Sequence, residues 1–124
     1  MREILFRGQD NLGVWHYGYL HINTIANKEE KYYINSNCYV ENPNYIEVKK
    51  ETVGQATDSN DIDGNRIFEG DRVLQRAVLV GDDMKDFIGY VKFLEGSWVI
   101  ENKDEDEAIP LWSEHRENTV LDLY

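Results

Sequence analysis

Oxygen-bearing side chains surround a glycine in the segment from Ser59 to Gly64, which reads SNDIDG. Loops of this composition can bind calcium, but an EF-hand loop needs a bidentate glutamate six residues after its central glycine. With Gly64 as that glycine, the glutamate position falls on Gly70. The register therefore favours a turn in which Asp and Asn side chains bond to the backbone over a calcium site.

A second acidic group, Glu69 and Asp71 around Gly70, could work with Glu51 as a pair of acid and base. No nucleophile or histidine accompanies these carboxylates in a recognisable motif. The alternative interpretation is structural, with Gly70 allowing a tight bend and Asp71 accepting backbone amide hydrogen bonds where a strand begins. We favour the structural role, and expect no catalytic residue here.

The chain has three histidines and one cysteine, the residue types that most often ligate transition metals. His16 and His21 are five residues apart, and an odd spacing places them on opposite faces of a strand. Cys38 has no partner for a disulfide or a zinc site, and His115 is remote in sequence. We therefore expect neither a metal site nor a cofactor, and Cys38 is interpreted as a small packed residue.

The elements that would position these groups are mostly strands. Segments 3–7 and 14–20 are rich in apolar and aromatic residues around a turn at 9–13, which predicts a β-hairpin. Residues 31–36, 38–42 and 45–53 predict further short strands, and residues 57–65 predict a loop. Residues 66–102 predict a curved antiparallel meander with a turn at 81–86 and a tight turn at 94–97. The charged run 103–107 predicts a solvated loop, residues 111–118 a short helical turn, and residues 119–124 a last strand.

Length and composition indicate one folded protein of 124 residues with 41 % hydrophobic residues and little helix. The opening residues MREILFRGQD lack the apolar segment of a signal peptide, and no stretch has the length of a membrane span. With a single cysteine, the chain is expected in the reducing cytoplasm, without membrane association.

The net charge of −11 is unevenly distributed. Residues 1–50 carry six Lys/Arg and six Asp/Glu, whereas residues 51–124 carry seven and eighteen. An acidic field repels phosphate backbones, so nucleic-acid binding is disfavoured and a basic protein partner is favoured. The aromatic residues Trp15, Tyr17, Tyr19, Trp98 and Trp112 are accordingly interpreted as core or interface residues rather than as platforms for bases.

Seven motifs follow one another along the chain: R-E-I-x-F-R at 2–7, W-x-Y-G-Y-L at 15–20, Y-Y-I at 32–34, E-T-V-G-Q-x-T at 51–57, D-x-x-G-N-R-I-F-E-G-D-R-V at 61–73, I-G-x-V-x-F at 88–93 and G-x-W-x-I at 96–100. Together they resemble the YopX family of small bacteriophage and prophage proteins. The central block, with Gly54, Gly64, Glu69, Gly70 and Asp71, is the most specific. Two departures are Asp58 after Thr57, where the family usually has glycine, and the end, VLDLY, which matches only loosely.

The resemblance implies a mostly-β protein whose second part, residues 51–124, is an SH3-like barrel that follows an N-terminal β region at residues 1–50. It implies no biochemical activity. If the central block carries binding as well as fold, Gln55, Thr57 and Arg66 are the candidate residues, because amide, hydroxyl and guanidinium groups can together recognise a polar ligand. The same groups can instead satisfy the backbone of a long loop.

Two functional hypotheses follow. The first is a non-enzymatic phage accessory protein that binds another protein through its acidic second half or an exposed β edge of the first. The second is a small β-barrel that binds nucleic acid across one face. An enzyme ranks last, and homo-oligomerisation through an open edge is a further possibility.

Overall fold

The structure, a computed structural model, describes residues 5–24, 29–36, 44–78 and 85–121. The described residues form antiparallel strands and one 3₁₀ turn at Lys50–Thr52, and no helix among them is long and apolar enough to cross a membrane. The prediction of a mostly-β fold is confirmed. The strands are β1 (Phe6–Gln9), β2 (Trp15–Thr24), β3 (Glu30–Asn35), β4 (Tyr45–Val48), β5 (Gly54–Asn60), β6 (Arg66–Phe68), β7 (Arg72–Ala77), β8 (Phe87–Leu94), β9 (Ser97–Asn102), β10 (Glu107–Pro110) and β11 (Arg116–Leu121).

The chain divides into two compact units, Met1–Ala56 and Thr57–Tyr124. In the first unit the strands lie in the order β4-β3-β2-β1, and the start of β5 pairs with β1. The predicted hairpin is present as β1 and β2. Its turn is held by Asp10, whose Oδ1 accepts hydrogen bonds from the amides of Leu12 (2.8 Å) and Val14 (2.9 Å).

The two faces of the first sheet differ in burial. Ile34 and Val48 are buried on the inner face. The aromatic face of β2 is the outer one, where Tyr17 and Tyr19 are about half exposed. These tyrosines are therefore surface residues, which keeps open the interface role and excludes a core role.

In the second unit the strands lie in the order β10-β9-β8-β7-β11. Alternate residues point inward and form one apolar core, as the period of two requires. The hydrogen bonds of the described strands leave β10 and β11 as separate edges, so the SH3-like barrel stays a prediction with which this order is compatible. The core residues are Ile67, Val73, Phe87, Val91, Ile100, Leu111 and Val120.

Several local predictions can be compared with the strands. The tight turn is confirmed, since Glu95 and Gly96 both have positive φ (49° and 84°) between β8 and β9. The predicted loop at 57–65 is wrong in its first half, because β5 extends to Asn60 and the turn begins at Asp61. The predicted helical turn at 111–118 is also wrong: the chain bends at His115, with φ of 66°, and then enters β11.

Other strands and turns begin or end at positions that differ from those predicted. The alternation at 45–53 is interrupted after Val48 by the 3₁₀ turn, where Thr52 Oγ1 accepts a hydrogen bond from the amide of Gln9. The run at 103–107 forms a turn except for Glu107, which begins β10. Cys38, the predicted strand at 38–42, most of the turn after β7 and residues 122–124 lie outside the described residues.

The bend between β6 and β7 is closed by Asp71. Its Oδ2 accepts a hydrogen bond from the amide of Phe68 at 2.7 Å, and its own amide donates to Phe68 O at 3.0 Å. Gly70, with φ of +92°, adopts the left-handed conformation that side-chain-bearing residues avoid. Its amide donates to Val91 O, so the bend is fixed to β8. Glu69 lies beside Gly70 in the same bend.

Asp61 organises the turn between β5 and β6 and ties it to β11. Its Oδ1 accepts hydrogen bonds from the amides of Asp63 (3.0 Å) and Asn65 (2.8 Å), and its Oδ2 accepts one from the amide of Val120 at 3.0 Å. Gly64, with φ of +85°, completes the turn. Burial raises the pKa of the Asp61 carboxyl, but the amide donors outweigh burial and hold the pKa below its usual value of 3.8.

Replacing Asp61 by asparagine should lower the free energy of unfolding by about 2 kcal/mol near pH 7, because a charged acceptor of several amides is lost. The folded pKa lies below 3.8, so this contribution is complete above that value and disappears as the pH falls through the folded pKa. Urea unfolding at pH 7 and near pH 3 measures it. Asp63→Asn, which alters an exposed carboxylate of the same turn, is the control, and an equal loss in both variants would contradict this role.

Replacing Asp71 by alanine should lower the melting temperature, because the buried Phe68 amide loses its charged acceptor at a cost of about 1.5–3 kcal/mol. Circular dichroism during heating measures the change. Glu105→Ala, in an exposed turn, should melt with the original protein. An unchanged melting temperature for Asp71→Ala would show that the bend does not depend on this carboxylate.

Candidate functional site

Two of the three polar residues predicted to bind a ligand lie together and are occupied by internal contacts. The Thr57 hydroxyl is buried and donates to Ile67 O at 2.8 Å. Arg66 donates from Nε to Asn60 Oδ1 (3.1 Å) and from Nη1 to Thr57 O (3.3 Å). Gln55 belongs to the first unit, where it lies opposite Phe6 of β1. The contacts of Thr57 and Arg66 therefore match the structural alternative, in which they satisfy the backbone of the β5–β6 segment.

The acidic candidates are likewise engaged with the backbone. Both oxygens of Asp61 accept amide hydrogen bonds, and Asp71 closes the bend before β7. Among the residues that the structure describes, no three His, Cys, Asp or Glu side chains approach closely enough to hold a metal ion. Glu51 lies in the 3₁₀ turn of the first unit, whereas Glu69 and Asp71 belong to the second. The described contacts of Asp61 and Asp71 are thus structural, because both carboxylates fix turns through backbone amides.

The histidines of β2 face different surroundings. His16 Nε2 lies 2.8 Å from Asp10 Oδ2, and this hydrogen bond is the main reason why the pKa of Asp10 is lowered. The ring of His21 lies 5.3 Å from that of Tyr45 and 6.3 Å from that of Tyr33. The contacts of His16 are therefore polar and those of His21 aromatic.

The outer face of the first unit is rich in exposed rings. Tyr17 and Tyr19 alternate along β2, and Tyr45 on β4 is half exposed. The Arg7 guanidinium carbon lies 4.4 Å above the centre of the Trp15 ring, within the range of a cation–π contact. This face can pack against a flat partner surface.

The most exposed tryptophan of the described chain lies in the second unit, beside a groove. Trp112 is 74 % exposed, although a tryptophan normally covers most of its surface. The half-buried ring of Trp98 lies 5.0 Å from Phe93, which is half exposed. We call the cavity of about 350 Å³ next to these rings the tryptophan groove; it is lined by Asp58, Ser59, Ser97, Trp98, Pro110, Leu111 and Trp112.

The backbone that carries Trp112 is held in place by two side-chain amides. Gln75, only 2 % exposed, donates from Nε2 to Leu111 O (3.1 Å), Pro110 O (3.3 Å) and Asn118 Oδ1 (3.1 Å). Asn118 donates from Nδ2 to Leu111 O at 2.8 Å. We call Gln75 and Asn118, which face each other across β7 and β11, the amide pair. One wall of the tryptophan groove is therefore fixed by side-chain hydrogen bonds, and ordering of a site before binding lowers the entropy cost of binding.

Sequence reasoning identified Trp98 and Trp112 as core or interface residues, without locating a groove, and it missed the amide pair. A signal for Trp112 exists in retrospect, since Pro110 ends β10 and polar residues 113–118 follow. No sequence signal marks Gln75, because a polar residue on a strand normally faces solvent. Only the register of β7 with β11 places it opposite Asn118.

The comparisons with known proteins give one result. The family model described as YopX protein matches residues 5–121. Neither the curated proteins nor the solved structures include a match to this chain. No matching structure or curated protein therefore assigns a role to the tryptophan groove, and its chemistry is inferred from the residues that line it.

Replacing Gln75 by alanine should lower the free energy of unfolding by about 1–3 kcal/mol, because the Pro110 carbonyl loses the donor described here and the Leu111 carbonyl one of two. Urea unfolding measures the loss. The neighbouring Arg76→Ala is the control, since its exposed side chain forms a 3.9 Å ion pair with Asp86, and its effect should stay within about 0.5 kcal/mol. Equal unfolding midpoints would show that the amide pair does not hold the wall.

Proposed function

This chain belongs to the YopX family, and we propose that it is a non-enzymatic accessory protein of a phage or prophage that binds another protein in the bacterial cytoplasm. The observation that carries the proposal is Trp112, which is 74 % exposed and follows Leu111, whose carbonyl is held by Asn118 Nδ2. Exposed tryptophans beside a groove are typical of binding hot spots. The described contacts of Asp61 and Asp71 are structural, and we propose no reaction for them.

The charge of the second unit favours a basic partner. Residues 57–124 carry seven Lys/Arg and seventeen Asp/Glu, and the tryptophan groove is lined by Asp58 and by no cation. A lysine or arginine of the partner would gain from this field, and its charge would also interact with the faces of Trp98 and Trp112. We therefore propose that the tryptophan groove takes a basic segment.

The shape of the tryptophan groove favours an extended segment. Its lining residues come from β5, β9, the end of β10 and the segment that follows β10. The Leu111 amide donates to Trp98 O at 3.0 Å, which joins this last segment to β9. Grooves lined by aromatic rings and proline bind extended, proline-containing segments, which lose little entropy when they dock. The exposed ring of Trp112 offers such a segment an edge against which to pack.

Nucleic-acid binding is the second candidate, and one feature favours it. Tyr17 and Tyr19 present half-exposed rings on the first unit, and single-stranded nucleic acids stack on such rings. That stacking requires surrounding cations. On this sheet Lys31 lies 3.8 Å from Glu47, and residues 1–50 have no net charge. The protein partner therefore remains the preferred proposal.

An affinity capture tests both candidates. The tagged full chain, its Trp112→Ser variant and a Leu12→Ser control are incubated with lysate of the cell that carries the gene, with and without nuclease treatment. The control removes an apolar side chain of the first unit that is at least as exposed as Trp112. We expect the original chain and the control to retain a basic protein that Trp112→Ser retains at least about tenfold less, with recovery falling as salt rises.

Defined peptides make the test independent of the lysate. A twelve-residue peptide of alternating arginine and proline should bind the original chain and the control more tightly than its glutamate–proline counterpart, and Trp112→Ser should abolish the difference. Equal binding by all three proteins would overturn the assignment of the tryptophan groove. Recovery that depends on nucleic acid would support the second candidate, and a doubled mass in sedimentation without added partner would indicate self-association.

A further inference from the structure

A second groove lies on the outer face of the β7-β8-β9 sheet and differs from the first in charge. It has a volume of about 510 Å³, within the range of small-molecule sites. We call it the cationic groove, and it is lined by Arg72, Ile88, Gly89, Tyr90, Lys92, Glu101, Asn102, Lys103 and Asp104.

Strand register brings these residues together from three segments. Arg72 of β7 lies opposite Tyr90 of β8, and Tyr90 lies opposite Glu101 of β9. Lys92 is two residues beyond Tyr90 on the same face of β8, as alternation requires. Lys103 follows β9 in the turn before β10. One continuous surface thus carries a ring between cationic groups.

The charges on this surface oppose those of the unit to which it belongs. The cationic groove contains three of the seven Lys/Arg of residues 57–124 but only two of the seventeen Asp/Glu. Its formal charge is therefore positive. A small anion is repelled by the acidic second unit as a whole but is attracted by the cationic groove. Because salt screens distant charges, the charges of the cationic groove itself dominate once the anion is close.

One ion pair orders a side chain of the cationic groove, whose excess positive charge then comes from Arg72 and Lys103 against Asp104. Lys92 Nζ lies 2.8 Å from Glu101 Oε1. The close contact with Lys92 lowers the pKa of Glu101, and the charge of Lys103 lowers it further. The same contact raises the pKa of Lys92. Asn102 fixes the start of the adjoining turn, because its Oδ1 accepts the amide of Asp104 at 3.0 Å. The ammonium of Lys92 is thus oriented before any ligand arrives.

The same surface offers an apolar platform. Tyr90 is 54 % exposed and Ile88 is 39 % exposed, and both lie on the outer face of β8, where two apolar side chains at adjacent outward positions form a small patch. A phenol ring beside an aliphatic side chain stacks well against a flat ring of a ligand. The platform and the cations border one space of about 510 Å³.

We infer that the cationic groove binds a nucleoside monophosphate, with the base stacked on Tyr90 and the phosphate held by Lys92 and Lys103. Stacking explains the exposed ring, and a phosphate complements the local positive charge. This inference is independent of the tryptophan groove and would make the protein responsive to a small molecule in addition to its partner. A structural alternative assigns Lys92 and Glu101 only to a stabilising cross-strand pair.

Calorimetric titration of the full chain at low salt tests the inference with three probes: adenosine monophosphate, adenosine and inorganic phosphate. Adenosine monophosphate should bind most tightly, because only it supplies both base and phosphate. Tyr90→Ser should weaken its binding about tenfold but leave inorganic phosphate unchanged, and Lys103→Gln should weaken both phosphate-containing probes. Tyr17→Ser and Lys85→Gln make the same changes at exposed positions elsewhere and should have no effect.

The outcomes separate the alternatives. Absence of saturable binding of adenosine monophosphate up to about 10 mM would overturn the inference and leave Lys92 and Glu101 as a structural pair. Equal weakening by the Tyr90 and Tyr17 variants, or by the Lys103 and Lys85 variants, would also overturn it, because binding would then not depend on the cationic groove. Unchanged urea midpoints of the variants ensure that weaker binding is not a consequence of unfolding.

Discussion

A buried primary amide is the interaction on which the second unit most depends. The hydrogen-bonded strands run β10-β9-β8-β7-β11, and no described ladder joins the segment after β10 to β7 and β11. Gln75 and Asn118 provide that connection with side-chain donors, because their Nε2 and Nδ2 atoms bond to the carbonyls of Pro110 and Leu111. A buried amide left without partners costs free energy, so the arrangement enforces one geometry. The hydrogen bonds of Gln75 and Asn118 fix the position of the core residue Leu111 and, through it, of the exposed Trp112.

The second unit then presents two surfaces of opposite chemistry. The tryptophan groove has aromatic walls and an acidic neighbour, Asp58, whereas the cationic groove collects Lys92 and Lys103 around an exposed phenol. If the acidic residues were evenly distributed over the second unit, the two grooves would not differ in charge. A uniform −11 field keeps a protein soluble but discriminates poorly between ligands, and local departures from it allow specific recognition.

The sequence predicts the strands better than the surfaces. Alternating aromatic residues identify β2, and the Glu95-Gly96 turn between β8 and β9 follows from its residue types, because such turns require positive φ. The end of β5 was misplaced, since Asp58 and Asn60 favour turns in isolation but pair with β6 in the sheet. Local propensity yields to tertiary pairing at such positions.

The candidate sites were less predictable for a geometric reason. Gln55, Thr57 and Arg66 were chosen by residue type, and the internal contacts of Thr57 and Arg66 show that polar groups can serve the backbone. The grooves depend on which residues face each other across strands, as Arg72 and Tyr90 do. A shift of one residue would turn every one of these side chains to the other face, and sequence patterns do not fix the register between distant strands.

The bond between Asp61 and Val120 has a consequence for the order in which the protein is made. The two residues are 59 positions apart, so the carboxylate is synthesised 59 residues before its partner amide. At the usual speed of synthesis this interval is about 3 to 12 s, far longer than the microseconds that a hairpin needs to form. The β5–β6 turn therefore lacks its hydrogen bond to Val120 until β11 has been synthesised. The second unit can be completed only after that.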